Sequence, residues 1–185
     1  MVKAFSEAEL RKLYTPSPSS HKGQNGKLMI IGGSKLFHAA SLWALKVASR
    51  IVDMVYYSSV DENNQIIQKA KEEFRDGIVV RRSQIDSYIE EADCILVGPG
   101  LPRKEGQEVE DDDTKELTET LLKKYPHKKW VIDGGSLQTM DPSFIPKDAI
   151  LTPHQKEFET LFKLKTQNSK LKSTAQKSKV DEEIV

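Results

Sequence analysis

Ile150-Leu151-Thr152-Pro153-His154-Gln155-Lys156-Glu157-Phe158 reads as a short apolar strand, a Thr-Pro-His turn and the first turn of a helix. The stretch puts an imidazole at the carboxyl end of a buried strand and at the amino end of a helix. In open α/β sheets ligands bind at that rim. Thr152 can donate or accept a hydrogen bond, Pro153 fixes the exit of the chain, and a helix amino terminus offers N–H groups to a polar or anionic ligand portion.

Moving back along the chain, the same strand-then-helix unit recurs. Strands are expected at Lys27 to Ile31, Asp53 to Ser59, Ile78 to Val80, Asp93 to Val97, Trp130 to Ile132 and Ala149 to Leu151. Helices are expected at Ala39 to Val52, Asp61 to about Phe74, Ser83 to Glu91 and Thr114 to Tyr125, and again around Phe158, Leu161 and Phe162. A capping-box pattern, Ser6 and Glu9, opens a further helix with a Leu10, Leu13 and Tyr14 stripe. Thr15 to Ser20 is a Pro/Ser loop, and the acidic stretch from Pro102 to Asp113 reads as a mobile, solvated loop. Several strands are continuous apolar runs, which indicates burial on both faces. Strands alternating with helices predict an α/β fold with a mostly parallel, doubly wound sheet. The apolar content then falls away. Residues 1–162 are expected to form one α/β domain, and residues 163–185, which keep only Leu164, Leu171, Val180, Ile184 and Val185 as large aliphatics, a polar tail or frayed helix.

Composition narrows the function classes. The 28 basic and 28 acidic side chains cancel, so there is no electrostatic footprint for nucleic acid. No apolar run approaches the ~20 residues needed to span a bilayer. Met1 to Glu7 has no apolar core of a signal peptide. The single cysteine, Cys94, lies in the apolar run Cys94-Ile95-Leu96-Val97 and reads as a small buried hydrophobe in a reducing compartment. The expected location is the cytoplasm.

Three glycine-rich turns follow three of the strands: Gly32-Gly33-Ser34, Gly98-Pro99-Gly100 and Asp133-Gly134-Gly135. Glycine admits positive φ and lets a ligand approach the main chain. Each turn could equally be a plain strand-to-helix connection, but all of them share the strand rim with His154. None is a P-loop or a GxGxxG fingerprint. Asp133 either caps its turn or binds a ligand hydroxyl or metal-bound water. His21, His38 and His127 have no comparable setting. The run Glu108 to Asp113 reads as a solvated surface with a helix cap, so no metal site is expected.

Taken in order, these motifs resemble the NAD(P)H-hydrate dehydratase family of the ribokinase-like superfamily. The matching stretches are Lys22-Gly23-Gln24-Asn25-Gly26-Lys27 leading to Gly32-Gly33-Ser34, then Phe37-His38-Ala39-Ala40, Val97-Gly98-Pro99-Gly100-Leu101, Val131-Ile132-Asp133-Gly134, and Leu151-Thr152-Pro153-His154-Gln155-Lys156-Glu157. The resemblance covers about Gly23 to Phe162. It implies a ribokinase-like fold and a repair activity on hydrated NADH or NADPH. ATP or ADP, with Mg2+, would phosphorylate the added hydroxyl, and loss of phosphate would restore the reduced dinucleotide. It also implies substrate contacts at Ala40, Gly98, Gly100, Leu101 and His154, with Gly32, Gly33, Ser34, Asp133, Thr152 and Glu157 in support.

The chain departs from the family pattern at Ala39, Ala48-Ser49-Arg50, Pro102 and Asp133-Gly134-Gly135, the last losing a second carboxylate. The family's later Gly-x-Gly-Asp turn, which binds nucleotide phosphates and supplies the catalytic Asp, does not occur after His154. Phosphoryl transfer needs both groups. The expectation is therefore a ribokinase-like domain lacking its carboxyl-terminal part, with the catalytic group unassigned. The alternatives are a non-catalytic or split subunit completed by a partner chain or a homo-oligomer, whose exposed sheet edge would invite pairing, and another ribokinase-like kinase acting on a small alcohol.

Overall fold

The computed structural model describes residues 6–163. Its centre is a six-stranded, all-parallel sheet: β1 (Lys27–Ile31), β2 (Met54–Ser58), β3 (Ile78–Val79), β4 (Cys94–Val97), β5 (Lys129–Ile132) and β6 (Ile150–Leu151). The spatial order is β3-β2-β1-β4-β5-β6. The chain builds outward from β1 in one direction, returns, and builds outward from β4 in the other. The switch therefore falls between β1 and β4, where Ile31 lies beside Val97. A crevice opens at such a switch because the connections leave in opposite directions.

The helices are α1 (Ala39–Ala48), α2 (Asp61–Phe74), α3 (Ile85–Glu91), α4 (Thr114–Lys124), α5 (Gly134–Thr139) and α6 (residues 155–163). Strand side chains alternate between faces, and the core divides accordingly. Ile30, Val55 and Tyr57 pack against Leu45 of α1 and Ile67 of α2. Met29, Ile31, Tyr56, Ile95, Val97, Trp130 and Ile132 pack against α3, α4 and α5 through Ile85, Ile89, Leu121, Leu122 and Leu137. The sheet is doubly wound, as its apolar strands predict. α4 starts where the Asp113 carboxylate accepts the Glu116 N–H at 2.9 Å, and Lys123 and Lys124 sit in its last turn. Both choices suit the helix dipole.

The structure departs from the sequence reading in several places. α5 was not expected: its six residues open on two glycines and carry no long apolar stripe. The amino-terminal element is a 3-10 helix over Glu7–Lys12, with Leu10, Leu13 and Tyr14 exposed, so the expected stripe is not buried, and the Tyr14 hydroxyl donates to the Asn25 side-chain oxygen at 3.0 Å. α1 ends at Ala48, leaving Ser49 to Val52 as a turn. Cys94 is only partly buried, and burial pushes its thiol up from its ordinary value, which disfavours the thiolate. The acidic loop is fastened down. Lys35 N–H donates to Asp111 at 2.7 Å, the Lys35 ammonium pairs with Glu110 at 2.9 Å, and the Arg82 guanidinium grips Asp112 through two nitrogens at 3.0 and 2.7 Å. The polar tail lies outside the described residues from 164 onward.

Asp53, just before β2, gathers the loop ahead of β1. One carboxylate oxygen accepts the Gly23 N–H, the Asn25 N–H and the Asn25 side-chain amide at 2.9, 3.0 and 3.0 Å. These bonds, the Asn25 N–H first, hold its pKa below the ordinary value. A depressed carboxylate contributes stability that is present above its unfolded pKa and lost as pH falls through the folded one. Asp53→Asn is therefore expected to flatten the loss of stability below about pH 4, as measured by urea denaturation across pH.

Candidate functional site

The turn after β1 and the turn after β4 are locked together. Gly33 N–H donates to the Pro99 carbonyl at 2.8 Å, and Gly98 N–H to the Ile31 carbonyl at 3.0 Å. A Cβ on Gly32 would sit 2.3 Å from the Pro99 oxygen, and one on Gly98 (φ 118°) 1.8 Å from the Asp133 oxygen. Gly32 and Gly98 are thus required first for backbone-on-backbone packing, whereas a Cβ on Gly33 (φ 71°) would collide with the Asn63 side-chain amide. Ser34 is fully buried, and its hydroxyl accepts the Phe37 N–H at 3.0 Å, which shapes the following loop. Behind the turn lies a buried polar network. Asn63 donates to the Tyr57 and Ser59 hydroxyls, both at 2.8 Å, and Ser41 shares a 2.8 Å bond with Tyr57. His38 Nδ1 meets the Asn63 oxygen at 2.9 Å. The sequence assigned His38 no setting; its partner lies 25 residues away.

Above these turns is a cleft of about 650 Å³. Ala40, Gly100 and Leu101, three of the expected contact residues, line it with Phe37, Trp43 and Gln138. It is a largely apolar slot, with Ala40 exposed on its wall and the Cβ side of Gly100 packed against the Phe37 carbonyl. Phe37, Trp43 and Gln138 were not among the expected contacts. Phe37 stands in the matched stretch Phe37-His38-Ala39-Ala40, and nothing local marks Trp43 or Gln138.

His154 is not among the residues lining this cleft, but a hydrogen-bond chain connects it. The His154 ring caps α6: Nδ1 accepts the Lys156 and Glu157 N–H groups at 3.1 and 3.3 Å. Glu157, only 5% exposed, answers by accepting the His154 N–H at 3.0 Å. This is a capping box with histidine as the cap residue. Nδ1 as an acceptor leaves the proton of the neutral ring on Nε2, which lies 3.3 Å from Glu157 Oε1. The same oxygen accepts Gln138 Nε2 at 2.8 Å, and Gln138 lines the cleft. The N–H groups of this turn, which the sequence reading left free for an anion, are thus partly taken by the protein's own side chains. The exposed edge of the His154 ring is what remains for a ligand.

Asp133 does not cap α5. Its side chain accepts the Thr152 hydroxyl at 2.7 Å instead. With Thr152 N–H on the Ile132 carbonyl, this pins the Thr-Pro-His turn to the end of β5. Among the described residues no group of three or more His, Cys, Asp or Glu is placed to hold a metal ion, and no helix is long and apolar enough to cross a membrane. Glu157→Gln keeps an acceptor for the His154 N–H. It is expected to cost about 1 kcal/mol, no more than half the effect of full truncation, by thermal denaturation.

This doubly wound architecture is shared with proteins of known structure. The chain superposes on a ribokinase-like superfamily protein from Enterococcus faecalis with a TM-score of 0.70 at 21% identity, covering 85% of this chain and 55% of that one. It also superposes on the ADP/ATP-dependent NAD(P)H-hydrate dehydratase from Bacillus subtilis, co-crystallized with ATP/Mg2+, at 0.58 and 22% identity, covering 84% and 54%. The family profile for NAD(P)H-hydrate dehydratase matches residues 28–184. The chain belongs to that family. It is 34% identical over 161 residues to the bifunctional NAD(P)H-hydrate repair enzyme of Methanocaldococcus jannaschii, covering 82% of this chain and 30% of the relative. It is 28% identical over 179 residues to the ADP-dependent (S)-NAD(P)H-hydrate dehydratase of Streptococcus pneumoniae, covering 94% and 60%. The chain thus spans 30% to 60% of the length of these two relatives.

Proposed function

We propose that this chain supplies the dinucleotide-holding part of an ATP- or ADP-dependent NAD(P)H-hydrate dehydratase, acting in the cytoplasm. The observation that carries the reading is the cleft at the β1/β4 switch, lined by Ala40, Gly100 and Leu101 and tied through Gln138 and Glu157 to His154. In the proposed reaction the hydroxyl oxygen of the hydrated nicotinamide loses its proton and takes the terminal phosphoryl group of ATP or ADP, and ADP or AMP leaves with the electrons of the broken phosphorus–oxygen bond. The carbon–oxygen bond then breaks, phosphate leaves with the bonding pair, and loss of a ring proton restores the double bond.

This chain's residues bind and orient. Ala40, exposed on the cleft wall, lacks bulk, so a ligand can approach its main-chain atoms. Phe37, Trp43 and Leu101 give apolar walls to a flat ring. The Asp133–Thr152 bond and the Glu157 box hold the His154 ring in one tautomer at the rim. The groups for phosphoryl transfer are not among these residues. No Gly-x-Gly-Asp follows His154 in the sequence, and among the described residues no group of three or more His, Cys, Asp or Glu is placed to hold a metal ion. No step through Mg2+ is therefore assigned to them. Incubating the chain with hydrated NADH and either ATP or ADP is expected to give no return of reduced-nicotinamide absorbance. Sustained return would contradict the division of labour proposed here.

A further inference from the structure

His38 lines the cleft, and its inner edge is held by a buried network whose protons can be assigned one by one. Ser41 and Asn63 are fully buried. Burial also pushes the Tyr57 phenol up from its ordinary value, so it keeps its proton. The Ser41 hydroxyl donates to the His38 carbonyl at 3.1 Å, which uses its one proton. The 2.8 Å bond between Ser41 and Tyr57 therefore has the Tyr57 hydroxyl as its donor. With that proton spent, the Tyr57 oxygen can only accept, so the Asn63 group facing it is the amide nitrogen. The second proton of that nitrogen goes to the Ser59 hydroxyl oxygen at 2.8 Å. The Asn63 oxygen is left facing His38 Nδ1 at 2.9 Å. An amide oxygen only accepts, so Nδ1 carries a proton. No other assignment satisfies all five of these bonds.

In a neutral imidazole protonated on Nδ1, Nε2 is a bare acceptor. Among the described residues Nε2 of His38 has no protein partner, and the ring stands partly exposed on the cleft wall. His154 is the opposite case, with Nδ1 accepting and the proton on Nε2. Gln138 adds a second acceptor to the cleft: its amide nitrogen is committed to Glu157, and its oxygen has no protein partner among the described residues. An acceptor set in an apolar wall favours a ligand that brings a donor, because a ligand without one strands it.

We propose that His38 Nε2 is a ligand-binding acceptor, taking a hydrogen bond from a hydroxyl or amide N–H of the molecule in the cleft, with Asn63 as the residue that fixes its tautomer. The ligand contact rests on the dinucleotide reading, since a reduced dinucleotide offers both donors, the nicotinamide carboxamide and the sugar hydroxyls. The tautomer stands on the network alone.

Long-range proton–nitrogen NMR of the full chain at about pH 8, above the ordinary imidazole range, reads both ring nitrogens of the four histidines. His38→Asn identifies the His38 signals by their loss. The expected spectrum shows a protonated Nδ1 and a bare Nε2 at His38, and saturation with NADH moves the Nε2 signal towards that of a hydrogen-bonded acceptor. Asparagine can still donate to the Asn63 oxygen but has no atom where Nε2 stood. His38→Asn should therefore keep the melting temperature of the parent and bind NADH about five- to tenfold more weakly. Should the variant lose the circular dichroism of the parent, the Nε2 response to NADH decides by itself. Reduced acetylpyridine adenine dinucleotide, which lacks the carboxamide N–H, separates the two donors. Parent and variant bind it alike if the carboxamide is the donor, and differ as they do for NADH if a sugar hydroxyl is. A proton on Nε2 in the free chain would overturn the tautomer and the acceptor together. Equal binding of NADH to the parent and His38→Asn would overturn the contact and leave the dinucleotide reading intact. No binding to the parent would remove that reading and the contact with it.

Discussion

Gly98→Ala is expected to destabilise the protein by about 3 kcal/mol and to lower its melting temperature by roughly 6–12 °C for a domain of this size. The substitution combines two penalties. Gly98 has φ 118°, in a region that non-glycine residues rarely enter, and its new methyl would stand 1.8 Å from the Asp133 carbonyl oxygen. That oxygen belongs to backbone which is itself fixed, since Asp133 N–H donates to the Val97 carbonyl at 3.0 Å. Neither partner can move without parting the ends of β4 and β5. Urea denaturation reads the effect, and a variant within 1 kcal/mol of the parent would show that the turns are far softer than their packing implies. Gly106→Ala is the control, because its Cβ meets no atom closer than 3.6 Å, at the Phe37 ring.

Glu157→Ala is expected to cost about 2–3 kcal/mol and to weaken reduced-dinucleotide binding about tenfold, or 1.4 kcal/mol. The buried carboxylate accepts the His154 N–H and the Gln138 amide and faces His154 Nε2. Removing it opens the capping box, releases the ring to other rotamers and frees Gln138 at the cleft wall. Stability and binding should fall together in Glu157→Ala. A His154→Ala variant should reduce binding with a smaller stability loss, because Glu157 can still accept the backbone N–H at position 154. Unchanged binding in both variants would remove His154 from the site.

What the sequence disclosed follows the range of the interactions involved. The strands at Lys27, Met54, Cys94 and Lys129 were legible because burial on both faces demands unbroken apolar runs. α2 was legible in extent, from Asp61 to about Phe74, because acidic residues open it, but its buried face of Asn63, Asn64 and Ile67 was not, and Asp61 is its first residue rather than its cap. α5 was not, since six residues beginning Gly-Gly carry no period to read. The glycine turns were found, but their reason was not. Gly32 and Gly98 are held by the backbone of turns that lie far away in sequence. His154 was correctly placed at the strand rim, yet its capping box with Glu157 was hidden because histidine is an uncommon cap. Gln138, Trp43 and the His38–Asn63 pair depend on contacts between separate strand-to-helix units, which spacing along the chain does not encode. The acidic loop shows the same limit: its carboxylates looked solvated because Lys35 and Arg82 are distant in sequence.

Equilibrium titration of the chain with NADPH and with NADH, followed by nicotinamide fluorescence, tests the central claim that the β1/β4 cleft holds a reduced dinucleotide. Saturable binding is predicted, together with at least a tenfold loss in Ala40→Trp, whose bulk would enter the cleft from the exposed start of α1 without touching the core. An absence of saturable binding, or equal affinity in the parent and Ala40→Trp at equal stability, would contradict it.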